Sequence, residues 1–194
     1  MQNITYILDL EYFSSAKPGR EDYFFGYREV ALLRCDRLAR DPWIAFTPVW
    51  PGRIPLENSR IRQTINWERN LSRLEYSPDL RYPFILHEDV KAFLKKHIGE
   101  LPFNCFIGYK GGQAEQQLLD ELGYRNINLE LLNCPKLSEI LNTYPELEEL
   151  ARCYNCGFHM YNRRSWWLKR NGDVPVHCAA VEVFCFNYWL QHNL

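Results

Sequence analysis

I-T-Y-I-L-D-L-E-Y-F, from Ile4 to Phe13, is the stretch on which the fold turns. It is apolar and aromatic almost throughout and reads as a buried first strand. Asp9 and Glu11 interrupt it, and two residues apart on a strand they share one face. Isolated carboxylates inside so apolar a segment are costly, so a partner or an ion must face them. They serve either as magnesium ligands or as acids paired with Lys or Arg at the strand end. The turn-rich run S-S-A-K-P-G-R-E-D leads to a second strand, Tyr23 to Cys35, with Glu29 entering its apolar half. Trp43 to Val49 makes a third, closed by P-V-W-P-G. Three strands before the first clear helix predict an antiparallel start.

Beyond them, residues 57–75 are polar and irregular to helical. H-E-D-V-K-A-F-L-K-K-H-I (87–98) predicts an amphipathic helix with Val90, Phe93, Leu94 and His97 or Ile98 on one stripe. A strand follows over Phe103 to Tyr109, then Lys110-Gly111-Gly112 and a helix through Leu122. Asn128 to Leu132 reads as a strand, and Pro135 to Leu150 as a helix broken near Pro145. A last helix begins at Cys178 and turns Val181, Cys185, Tyr188 and Trp189 inward. The order βββαβαβα is that of the ribonuclease H-like fold: an α/β domain spanning 1–194, its mixed sheet flanked by helices on both faces.

Composition narrows the function classes. The chain has 194 residues, 46% hydrophobic and 15% aromatic, with a formal net charge of -1. That suits one globular domain, and any nucleic-acid contact must come from a local basic patch. Seven cysteines, an odd number, and no signal peptide before Ile4 predict an intracellular location without a disulfide framework. No apolar run is long enough for a membrane span, so no membrane is expected among the partners.

The second landmark is C-Y-N-C-G-F-H (Cys153 to His159), followed 19 residues after His159 by Cys178 and then A-A-V-E. Cys156 and His159 stand in C-x2-H spacing, and Cys178 at a helix start has its thiolate favoured by the helix dipole. Three of seven cysteines and two of five histidines fall within these 26 residues. Cys35, Cys105 and Cys185 read instead as small buried hydrophobes. The cluster predicts a structural zinc ion held by Cys156, His159 and Cys178, with Cys153 or His177 among the candidates for a fourth ligand.

Several of these pieces resemble the DEDDh exonucleases. Asp9-Leu10-Glu11 is similar to that family's first-strand D-x-E, Arg28-Glu29-Val30-Ala31 to its second-strand pattern, and His177-x4-Glu182 to its last motif. The resemblance implies magnesium or manganese at Asp9, Glu11 and Glu182 beside His177, in a 3′–5′ exonuclease. Ala114 stands where that family carries Asp, and Glu115, one residue later, is a makeshift fourth acid turned about 100° around the helix. A closer resemblance covers nearly the whole chain: the Maelstrom domain, similar in L-E-Y-F, in Glu29 opening an apolar segment, in P-G-R-I-P, and in the late C-x2-H and Cys. It implies zinc ligation by Glu29, Cys156, His159 and Cys178; the alternative for Glu29 is a core-edge carboxylate satisfied by a backbone amide. It also implies single-stranded RNA as ligand or substrate, in piRNA-type silencing of transposons with other small-RNA pathway proteins, in cytoplasmic germ granules or the nucleus.

The insert R-R-S-W-W-L-K-R fits such a ligand. Arg163, Arg164, Lys169 and Arg170 can follow phosphates while bases stack on Trp166 and Trp167. As an alternative, both indoles cover the zinc loop. Lys110, with Gly111 and Gly112 at a helix start, is a further candidate phosphate contact or, equally, part of an ordinary strand-to-helix turn. A third function class, a protein-interaction scaffold, uses none of these residues chemically.

Overall fold

A computed structural model of the chain describes residues 3–14, 25–35, 43–50, 52, 59, 62–63, 66, 83–147 and 178–194. The strands are β1 (Asn3–Ser14), β2 (Phe25–Arg34), β3 (Trp43–Trp50), β4 (Ile85–Leu86), β5 (Cys105–Tyr109) and β6 (Asn126–Asn128). The α-helices are α1 (Val90–Ile98), α2 (Gln113–Glu121), α3 (Leu137–Thr143) and α4 (Ala179–Asn193). Six strands form one sheet in the order β4-β3-β2-β1-β5-β6. β2 is antiparallel to both β1 and β3, while β1–β5, β5–β6 and β3–β4 are parallel. The molecule is thus α/β with a mixed sheet flanked by helices, compatible with the ribonuclease H-like class.

Alternation along β1 feeds two cores. Tyr6, Leu8 and Leu10 join Val30, Leu32 and Ile107 against α1 and α2. Ile7 joins Ala31 and Leu33 against α3 and α4 on the opposite face. α1 shows why a helical stripe is readable: Val90, Leu94 and Ile98 are its buried residues, and the remainder meets water or the edge of the core. α4 is apolar nearly all round, and every residue from Ala179 to Asn187 is buried. Asp9 follows Ile7 and Glu29 precedes Ala31, so strand parity turns both acids toward α4.

β1 and β2 slip register once. Glu11 lies opposite Glu29 and Tyr12 opposite Tyr27, leaving Arg28 as the extra residue of a bulge. Bulges re-aim side chains, and this one lies beside the acids.

Most predicted elements are present, with ends moved by a residue or two. Three differ. The expected strand at Asn128–Leu132 is β6 at Asn126–Asn128 followed by a 3-10 turn over Leu129–Leu132. The Asn128 side chain accepts the Glu130 N–H, which bends the chain into that turn. The two-residue β4 has no counterpart among the expected strands. The helix expected from residue 87 begins as a 3-10 turn over His87–Asp89. Most of the polar stretch 57–75 lies outside the described residues.

Candidate metal centre

β1 runs further than its parallel neighbour. The last β1–β5 pair is Ile7 with Gly108, yet β1 continues to Ser14. Backbone groups of β1 beyond Ile7 that point away from β2 therefore have no β5 partner. Glu115, in the first turn of α2, fills the gap: its Oε1 accepts the Leu10 N–H at 3.2 Å.

Around that strand end the acids converge. Asp9, Glu11 and Glu182 each place a carboxylate oxygen within 4.8 Å of the others. Asp9 and Glu182 are buried, and Glu11 is half-buried. Glu182 reaches the site because α4 starts immediately over the sheet. Glu29 receives the Ala179 N–H on its Oε2 at 3.2 Å, anchoring the first turn of that helix. Glu29 is fully buried, as is Cys178 next to Ala179.

Charge accumulates accordingly. Burial pushes the Asp9 carboxyl well above its ordinary range, and Glu182, Glu115, Cys178 and Glu29 push it further. Glu115 is pushed up to about 8, chiefly by burial; its own N–H and that of Leu10 pull it back, and Glu182 raises it. The second oxygen of Glu115, Oε2, is buried with no hydrogen-bond partner among the described residues. It lies against Gly112, where a Cβ would collide with it. A cluster of this kind, oxygen ligands only and mutually repelling, fits a hard divalent cation such as Mg2+ or Mn2+ better than zinc.

Of the four expected zinc ligands, only Glu29 and Cys178 lie among the described residues. Glu29 and Cys178 come together at the start of α4, a carboxylate and a thiol of the types zinc takes. Cys156 and His159 lie outside the described residues, as do Cys153 and His177, the insert Arg163, Arg164, Trp166, Trp167, Lys169 and Arg170 included.

Lys110 sits at the end of β5 with its ammonium already engaged. It donates to the Cys134 carbonyl at 2.8 Å and approaches Glu130 at 3.5 Å. The Gly111 N–H is likewise taken, by Asn128 Oδ1 at 3.1 Å. The turn expected to offer a phosphate its free N–H groups is bound internally at these points.

The DEDDh resemblance groups Asp9, Glu11 and Glu182, with Glu115 as a makeshift fourth acid turned about 100° around the helix. A glutamate spans the extra 100° because its longer side chain folds back over Gly112 toward β1. The signal was available in Gly112, the residue that leaves room for it. Among the described residues no helix is long and apolar enough to cross a membrane. No protein-family model matches the chain, and no curated protein matches it.

Proposed function

We propose that this chain is a Maelstrom-like domain of ribonuclease H-like fold that engages single-stranded RNA in small-RNA silencing, with a divalent cation at Asp9, Glu11 and Glu182. The observation that carries the reading is the convergence of those three carboxylates within 4.8 Å where β1 runs on past its pairing with β5. Open α/β sheets bind ligands beyond the carboxyl ends of their parallel strands, and the acids stand just past that end of β5. A divalent ion there supplies phosphate binding and Lewis-acid stabilisation of charge on a phosphodiester. Asp9 and Glu11 hold their oxygens on one strand face, Glu182 closes the site from α4, and Glu115 fixes the backbone at Leu10. The sequence resemblance supports RNA as the polymer and Arg163–Arg170 as its grip.

A second reading draws on the same carboxylates. In it Glu115 is the fourth acid and His177, outside the described residues, is the histidine that the DEDDh resemblance implies, making the domain a magnesium-dependent 3′–5′ exonuclease. One experiment separates the two: labelled single-stranded RNA incubated with the parent protein and with Asp9→Asn/Glu11→Gln, with and without Mg2+ or Mn2+. Binding without cleavage by both proteins, with manganese bound by the parent alone, is the expected result. Divalent-dependent shortening from the 3′ end by the parent, absent from the double variant, establishes the exonuclease. If the parent binds neither manganese nor RNA, the proposal fails.

A further inference from the structure

At the opposite end of the sheet lies a groove that neither reading uses. Its volume is about 620 Å³, within the range of about 300–1,000 Å³ typical of small-molecule sites, and Lys95, Leu101, Phe103, Tyr124 and Arg125 are among its walls. Phe103 is 85% exposed, the most exposed large apolar side chain among the described residues. Its placement is nevertheless fixed. Arg125 Nη1 donates to the Phe103 carbonyl at 2.6 Å, and its guanidinium lies 4.5 Å from the Phe103 ring centroid and 4.4 Å from that of Phe106. An arginine set between two rings and bonded to the backbone of one is preorganised, with N–H donors left over for an anion. Lys95 adds a second exposed cation at the rim, and the two outnumber the carboxylate of Glu100 beside them.

We infer that this groove binds a nucleotide unit, the base stacked on Phe103 and the phosphate held by Arg125 and Lys95. An exposed aromatic flanked by cations is the arrangement that stacks bases irrespective of sequence. The site is separate from the acidic cluster. Cys105, in its wall, pairs with Asn3 at the start of β1, and Asp9 lies six residues on, roughly 20 Å at about 3.3 Å per residue. The inference does not rest on the proposed function, since a base and a phosphate can be held here without a metal.

The test is an NMR titration with adenosine monophosphate without added magnesium or manganese, so that no phosphate is bridged through such a cation at Asp9. Ribose 5-phosphate serves as the ligand lacking a base. Adenosine monophosphate is expected to bind at least about tenfold more tightly than ribose 5-phosphate, with shifts centred on Phe103 and Arg125. Phe103→Ala should weaken it by about tenfold and Phe103→Leu nearly as much, while Phe103→Trp should keep the affinity. Because the side chain is exposed, none of the three should disturb folding. Equal affinity for the two ligands, no adenosine monophosphate binding by the parent, or parent-like affinity of Phe103→Ala each overturns the inference. Loss of affinity in Phe103→Trp does so too, since stacking is then not the contact.

Discussion

Leu10 offers its N–H where no strand is left to accept it, and Glu115 accepts it, so one residue serves both the β1 backbone and the acidic cluster. Its protonation is therefore tied to folding. Folded Glu115 holds its proton up to about 8, against an ordinary value of 4.5 in an unfolded chain. Between those values the folded state binds the extra proton, so this contribution to stability is complete below about 4.5 and is lost as pH rises through about 8. Asp9, raised in the same direction, adds to the trend. In chelator the melting temperature should fall from about pH 5 to about pH 9, and Mg2+ should restore much of it at the upper end by supplying the missing positive charge. Glu115→Gln keeps an acceptor for Leu10 without the charge. At about pH 9 it should melt about 5 °C or more above the parent, given about 2–4 °C per kcal/mol for a chain of this size. Identical pH profiles for the two proteins in thermal melts would show that another group governs the trend.

Elements are set by register, and the β1–β2 register is held at two points. One is the bulge at Arg28; the other is Phe13, whose ring covers Gly26 directly across the ladder. A Cβ at Gly26 would overlap that ring, so Gly26→Ala should destabilise by about 1–3 kcal/mol as an overpacked contact. Phe13→Leu, costly alone, should recover part of that loss when combined with it. A double-mutant cycle in urea with no coupling between the two changes would place the strain elsewhere. Much of this scale was legible in sequence. The apolar runs of β1, β2 and β3, the stripe of α1 and the break at Pro145 are local patterns, and the parity of Asp9, Glu11 and Glu29 follows from strand geometry alone. What escaped depends on contacts distant in sequence. β4 is two residues long, too short to carry a period. The 3-10 turn after β6 comes from one asparagine side chain competing for the backbone. Phe103 and Arg125 are 22 residues apart, and no spacing rule joins them.

The whole molecule is closed at the middle of the sheet, where α4 docks its first turn on β2. Glu29 reaches across 150 residues of chain to the Ala179 N–H, beside buried Cys178. If Cys156 and His159 complete a zinc site with these two, the ion ties three distant segments to one point, and its binding energy becomes folding energy. The proposed cation of the acidic cluster is of a different kind, Mg2+ or Mn2+ on oxygen ligands alone, so each site should empty without the other. Purified protein should contain one zinc per chain by elemental analysis, retained through dialysis against Mg2+. A strong chelator that removes it should lower the melting temperature by at least about 10 °C, a loss of about 3–5 kcal/mol at about 2–4 °C each. Cys178→Ser should lose zinc and stability together, whereas Asp9→Asn/Glu11→Gln should keep zinc and lose only manganese. Glu29→Gln separates the ligand from the helix anchor: its amide oxygen still accepts from Ala179, but a neutral oxygen is a poorer zinc ligand than a carboxylate. Zinc affinity should fall while the apo-protein melts near the parent apo-protein. Stoichiometric zinc held by Glu29→Gln with undiminished affinity would remove Glu29 from the site and leave it the anchor of α4 alone.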